Sequence, residues 1–180
     1  MDPVDPAYPQ LLQAVAFAAR AHRSQLRKDG ETPYVSHVFR VCLVVRDIFG
    51  FDDRQMLLAA LLHDTMEDTT TDFDDVEEKF GRQVAEWAAC LSKDKRLPEQ
   101  EREKAYMEQL SKAPWQVRAC KLADMFDNLM DLHTSPRERR THTLERMESY
   151  LKCLKNSPSD KHLERPLAVV EQLLNEVRGS

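Results

Sequence analysis

Apolar residues along this chain recur mainly at helical spacing, and polar breaks divide them into short amphipathic segments. Leu11, Val15, Ala18 and His22 form one stripe, which predicts a helix from about Pro9 to about Gln25. Arg27 to Tyr34 reads as a loop, with Gly30 and Pro33 as breakers. A second helix is expected from Tyr34 to Phe49, carrying His37, Val41, Val44 and Ile48 on one face and closed by Gly50. Asp52 or Asp53 can cap a third helix that carries Leu57–Asp68, LLAALLHDTMED. Beyond Thr69–Asp72, Phe73, Val76 and Phe80 predict a short helix ended by Gly81. Val84, Ala88 and Leu91 mark another over Arg82–Ser92. Lys93–Arg96 is a charged loop, and Pro98 opens a surface helix with Tyr106 and Leu110 turned inward.

The segment Trp115–Leu132 is apolar almost all round, as a central buried helix would be. Ser135, Pro136 and Glu138 read as a capping box for a helix reaching Asn156, with Leu144, Met147, Leu151 and Leu154 buried. A last helix is expected from about Pro166 to Arg178. No repeat or strand-like alternation interrupts the pattern. The expectation is an all-α bundle of about eight to ten helices in a single domain, residues 1–180.

Composition narrows the class. Only 4 Gly and 7% aromatics in 180 residues argue against an all-β fold rich in tight turns. No apolar run is long enough to cross a bilayer, and MDPVDPAYPQ lacks the basic and apolar regions of a signal peptide. Cys42, Cys90, Cys120 and Cys153 are widely spaced, with no CxxC pair, and read as reduced thiols of a cytoplasmic protein. A net charge of −5 argues against a broad nucleic-acid footprint. A polyphosphate ligand would then need a cation and a few local Lys or Arg residues.

Candidate chemistry is concentrated in two stretches. In the first, the apolar run to Leu62 ends in His63, Asp64, Glu67 and Asp68. Burying these groups is costly unless they are paired or hold a cation. Two readings stay open: a metal site with a water-activating pair, or a helix surfacing into a solvated acidic turn. In the second, Lys121, Asp124 and Asn128 draw a polar line along the Trp115–Leu132 helix. Taken alone, that line favours a buried hydrogen-bond network over a site. His22 is expected to be a hydrogen-bonded core histidine. Arg27 and Lys28 are either a solvated basic pair or a cradle for a base and its phosphates, and Arg146 and Tyr150 share one face near the chain's end. Together His37, His63, Asp64 and Asp124 suit Mn²⁺, Fe²⁺ or Zn²⁺ better than Ca²⁺.

Arg27–His37 (RKDGETPYVSH), His63–Asp68 (HDTMED), Lys121–Asn128 (KLADMFDN) and Arg146–Tyr150 (RMESY) together resemble the HD phosphohydrolase superfamily. The resemblance is closer to the hydrolase domain of RelA/SpoT-like alarmone enzymes, in stand-alone form with no synthetase domain. It implies Mn²⁺ held by His37, His63, Asp64 and Asp124, with Glu67 and Asp68 orienting and deprotonating the attacking water. It also implies that Arg27 and Lys28 line the guanine end and that Tyr34, Asn128, Arg146 and Tyr150 contact ribose or phosphate. The activity implied is hydrolysis of the 3′-pyrophosphate of guanosine tetra- or pentaphosphate to GDP or GTP and pyrophosphate. The same pocket chemistry would serve an adenosine alarmone, the 2′-phosphate of NADPH or a pyrophosphorylated RNA end. A non-catalytic alarmone-binding or antitoxin module is the alternative of a different class. A homo-oligomer is left open.

Overall fold

Helix α8 (Trp115–Met130) is the element against which much of the molecule packs, in a computed structural model that describes residues 8–134 and 136–179. Eleven of its 16 residues are buried, including Arg118, Lys121, Asp124 and Asp127, so its polar groups must find partners inside. Around it stand α1 (Tyr8–Ala21), α2 (Val35–Leu43), α3 (Arg54–Leu62), α4 (Thr65–Asp68), α5 (Phe73–Phe80), α6 (Arg82–Leu91), α7 (Glu99–Lys112), α9 (Arg137–Asn156) and α10 (Glu164–Arg178). Among the described residues there is no strand beyond an isolated bridge, and no helix is long and apolar enough to cross a membrane. The all-α expectation holds.

Several boundaries differ for local reasons. Helix α1 stops at Ala21 rather than Gln25. There the chain turns, with His22 Nδ1 2.7 Å from Gln25 Oε1. Residues 25–34 then fold back on themselves: Arg27 N–H donates to Thr32 O, Tyr34 N–H donates to Gln25 O, and Leu26 bridges Pro33. Gly30, at φ +77°, makes that turn without a Cβ penalty. The expected second helix widens at its end into a π-helical turn, Val44–Ile48.

Asp53, not Asp52, caps α3 by accepting from Met56 N–H at 2.9 Å. Every residue from Met56 to Leu62 is buried, burial worth about 1.5–3 kcal/mol for each large aliphatic side chain. The helix was expected to carry on to Asp68, but it ends at Leu62. His63 Nδ1 lies 2.8 Å from Ala60 O, and Thr65 Oγ1 donates to Leu62 O at 2.7 Å. Local side-chain bonds thus take up carbonyls at the helix end. His63 and Asp64 form the turn, and α4 begins at Thr65. A reciprocal Asp72–Asp75 capping box starts α5, and Gly81 closes it. Pro98 caps α7, which buries Tyr106 and Leu110 as expected. A 3₁₀ turn at Lys161–Leu163 leads into α10 two residues before Pro166. The capping box expected at Ser135 lies outside the described residues.

Helices α2, α3 and α8 pack on one another in pairs. His37 sits in the first turn of α2, His63 just past the end of α3, and Asp124 midway along α8. Three separate stretches of sequence therefore meet where these helices meet.

Candidate metal centre and cleft

Two imidazoles face two carboxylates in the interior. His37 Nε2 lies 3.2 Å from Asp124 Oδ1 and 3.5 Å from Asp64 Oδ2, while His63 Nε2 lies 3.0 Å from Asp64 Oδ2. Ligand-type atoms of His37, His63 and Asp124 all fall within 4.8 Å of one another. Each ring is held from behind. A carbonyl only accepts, so the Ala60 contact places a proton on His63 Nδ1 and turns Nε2 toward the carboxylates. That Nε2 is buried and makes no hydrogen bond. A buried nitrogen that meets an ionised carboxylate at 3.0 Å without a directed hydrogen bond is what a cation between them would satisfy. The donor set of two nitrogens and carboxylate oxygens suits a divalent ion.

The electrostatics agree. Burial alone would raise the Asp64 and Asp124 carboxyl pKa values, but His63 beside Asp64 and Lys121 beside Asp124 hold both far below the usual carboxylate range. Burial disfavours protonated His37 and His63, yet the surrounding carboxylates outweigh it and raise both. Proton and metal ion therefore compete for one electronegative point.

Asp127 is the residue that the sequence reading missed. Its Oδ2 lies 2.7 Å from His37 Nδ1, and its Oδ1 accepts from Arg40 Nε at 2.5 Å. Arg40 also donates to Asp131 at 2.7 Å, and Arg27 donates to the same carboxylate at 3.0 Å. The available signal was the spacing of Asp124, Asp127 and Asp131, at i, i+3 and i+7 on one helix.

Beside the cluster opens a cleft of about 280 Å³. His63, Asp64 and Asp124 reach it, whereas His37 is sealed beneath. All eight other residues singled out from sequence line it: Glu67, Asp68, Arg27, Lys28, Tyr34, Asn128, Arg146 and Tyr150. Their states differ. Glu67 accepts from Lys93 N–H at 2.8 Å, and burial pushes its pKa above the ordinary 4.5. Asp68 pairs with Lys95, and its carbonyl accepts from Gln25. Tyr34 donates to Asp64 Oδ2 at 2.6 Å, and Asn128 donates to Asp124 Oδ1 at 2.6 Å. Arg27 is largely committed to Asp131, Asp127 and Asn128. The Tyr150 hydroxyl donates to Glu103. Lys28 has no carboxylate within ion-pair distance among the described residues, and burial followed by the charge of Arg146 depresses its pKa. Lys121 forms an ion pair with Asp124 at 2.7 Å. His22 stays apart from the cluster, buried and bonded to Gln25.

Relatives carry a consistent description. The human guanosine-3′,5′-bis(diphosphate) 3′-pyrophosphohydrolase MESH1 is 46% identical over 125 residues, covering 69% of this chain and 70% of that one. The bifunctional (p)ppGpp synthase/hydrolase SpoT of Escherichia coli K12 is 34% identical over 148 residues, covering 78% of this chain and 21% of that one. A solved structure described as a metazoan ortholog of SpoT that hydrolyzes ppGpp superimposes with a TM-score of 0.80 at 34% identity, covering 91% of this chain and 94% of that one. A family model described as HD domain matches residues 14–151, a span that holds both imidazoles, both carboxylates and the whole cleft wall; the chain belongs to the HD domain family.

Proposed function

We propose that this protein hydrolyses the 3′-pyrophosphate of guanosine 3′,5′-bis(diphosphate), releasing GDP and pyrophosphate, with Mn²⁺ held by His37, His63, Asp64 and Asp124. The pentaphosphate would give GTP in the same way. The observation that carries this reading is the joint arrangement of one cleft. His63 Nε2, which makes no hydrogen bond, and the carboxylates lie at its floor, Glu67 and Asp68 on its wall, and Lys28 and Arg146 on its lining. Relatives named for this reaction, at up to 46% identity, supply the substrate.

A divalent cation supplies Lewis acidity toward a water and a phosphoryl oxygen. The remaining tasks fall to side chains. Lys93 N–H occupies one oxygen of Glu67 and leaves the other to take the water's proton. The raised pKa of Glu67 makes it a stronger base than an ordinary glutamate. Asp68 orients the water beside it. Tyr34 and Asn128 keep Asp64 and Asp124 in place as well as facing the ligand. Lys28 and Arg146 receive phosphate charge. Arg27 is held by Asp131 and Asp127, with its guanidinium carbon 5.8 Å from the Tyr34 ring centroid. It therefore offers a fixed planar wall for the guanine rather than a free cation. Four free cysteines fit a reducing, cytoplasmic setting.

The test is incubation of Mn²⁺-loaded protein with guanosine tetraphosphate, with products separated by anion exchange. Equal amounts of GDP and pyrophosphate are expected. Turnover of NADPH or an adenosine alarmone alone would keep the chemistry and replace the substrate. No turnover of any of them with metal bound would leave a binding module.

A further inference from the structure

Along one wall of the cleft lies a second set of charges whose ammonium groups the chemistry above leaves unused. Lys93 Nζ is 2.7 Å from Glu103 Oε1 and stands 5.2 and 5.3 Å from the ring centroids of Tyr106 and Tyr150. Lys121 Nζ lies near the same two rings, at 5.2 and 4.7 Å. The two ammonium groups thus share a pair of aromatic rings, while Glu103 also accepts from the Tyr150 hydroxyl. Lys121 is committed to Asp124, but Lys93 spends only its bond to Glu103. An ammonium has three donors. Lys93 lines the same cleft as the carboxylate cluster, and its side chain keeps 14% of its exposure. Burial and the neighbouring Lys121 charge both work against its protonated form, so an arriving anion relieves a cost already present.

We infer that the Lys93 ammonium is an anion-binding group of this cleft, gripping the pyrophosphate portion of the ligand while its own backbone N–H holds Glu67. The inference rests on the proposed reaction for its ligand but not for its geometry. One residue then touches both ends of the event: its N–H fixes the base, and its Nζ meets the phosphate charge. Glu103 acts as the resting partner from which the ammonium turns. The ordinary alternative is a structural ion pair fastening the 93–96 loop to α7.

The two readings separate by binding of inorganic pyrophosphate to Mn²⁺-loaded protein, measured by titration calorimetry with bound metal and melting curve determined alongside. Lys93→Met should weaken pyrophosphate binding about tenfold or more, the loss expected of a charge-assisted hydrogen bond, with metal content unchanged. Lys93→Arg should recover part of it. Glu103→Gln should bind pyrophosphate at least as tightly as the unaltered protein, because it frees the ammonium. Equal pyrophosphate affinity in Lys93→Met and the unaltered protein would overturn the inference. So would equivalent loss in the Lys93 and Glu103 variants, the signature of a broken structural pair, or no pyrophosphate binding at all. Because pyrophosphate binding needs no turnover, a protein that bound it through Lys93 yet left guanosine tetraphosphate intact would refute the proposed reaction and keep the anion site.

Discussion

Asp127 Oδ2 sits 2.7 Å from His37 Nδ1, on the side of the ring opposite to Asp124. The carboxylate fixes the ring's orientation and makes Nε2 a better donor to a cation. Replacing Asp127 with Ala should therefore lower metal affinity about 10- to 100-fold without touching any proposed ligand. The change also removes one of the two carboxylates that Arg40 engages, leaving Asp131, so some loss of stability is expected. Metal content after dialysis at graded free Mn²⁺, read beside a melting curve, checks this. Unchanged affinity in a folded variant would make the contact irrelevant to the centre.

Asp64 and Glu67 are three residues apart in sequence but do different work. Asp64 is proposed to hold the metal, so Asp64→Asn should lose both bound metal and turnover. Glu67 is proposed to take a proton, so Glu67→Gln should keep the metal and lose about 10²- to 10⁴-fold in kcat. Metal analysis and rate on both proteins decide the matter. A fully active Glu67→Gln enzyme would mean that the base is another group, with Asp68 the next to try.

Helix positions were readable because their apolar stripes are regular, and the central place of α8 followed from its being apolar all round. What the pattern could not give was the break after Leu62. The run Met56–Leu62 predicts helix, and nothing in local propensity stops it at His63. The stop comes from His63 and Thr65 bonding the carbonyls of Ala60 and Leu62. The eleven other candidate site residues besides His37 do reach one cleft, while His37 lies under its floor. Asp127 escaped because one of several acidic residues on that helix looks like any other until its partner on α2 is seen. For Arg27 the pattern leaves a solvated basic pair and a ligand cradle both open, because the carboxylate of Asp131, which engages it, lies 104 residues away in sequence.

As the proposed base, Glu67 should also set a pH dependence. Burial raises its pKa above 4.5, and the nearby Asp64 charge adds to the rise against the Lys93 N–H and ammonium. A base works only when deprotonated, so kcat/KM should fall as pH drops through that raised value. Glu67→Asp should move that acid limb, while Asp68→Asn shifts it less. An acid limb that Glu67→Asp leaves in place would remove Glu67 from the role.

Asp29 governs the loop that carries the basic pair. Its Oδ1 accepts from Glu31 N–H and Thr32 N–H, each at 2.9 Å, and its Oδ2 accepts from Thr32 Oγ1 at 2.6 Å. Those bonds, the Thr32 hydroxyl first, bring its pKa from 3.8 down to about 2. A depressed pKa stabilises the folded loop above pH 3.8, and that contribution fades as pH falls toward 2. At neutral pH the loop is therefore fully braced. Asp29→Ala should leave kcat and bound metal alone, because neither Glu67 nor the carboxylate cluster depends on it. It should raise KM for guanosine tetraphosphate several-fold by loosening the backbone under Arg27 and Lys28. Steady-state kinetics on the metal-loaded variant read this directly. A fall in kcat at constant KM would place the loop's contribution in the chemical step instead.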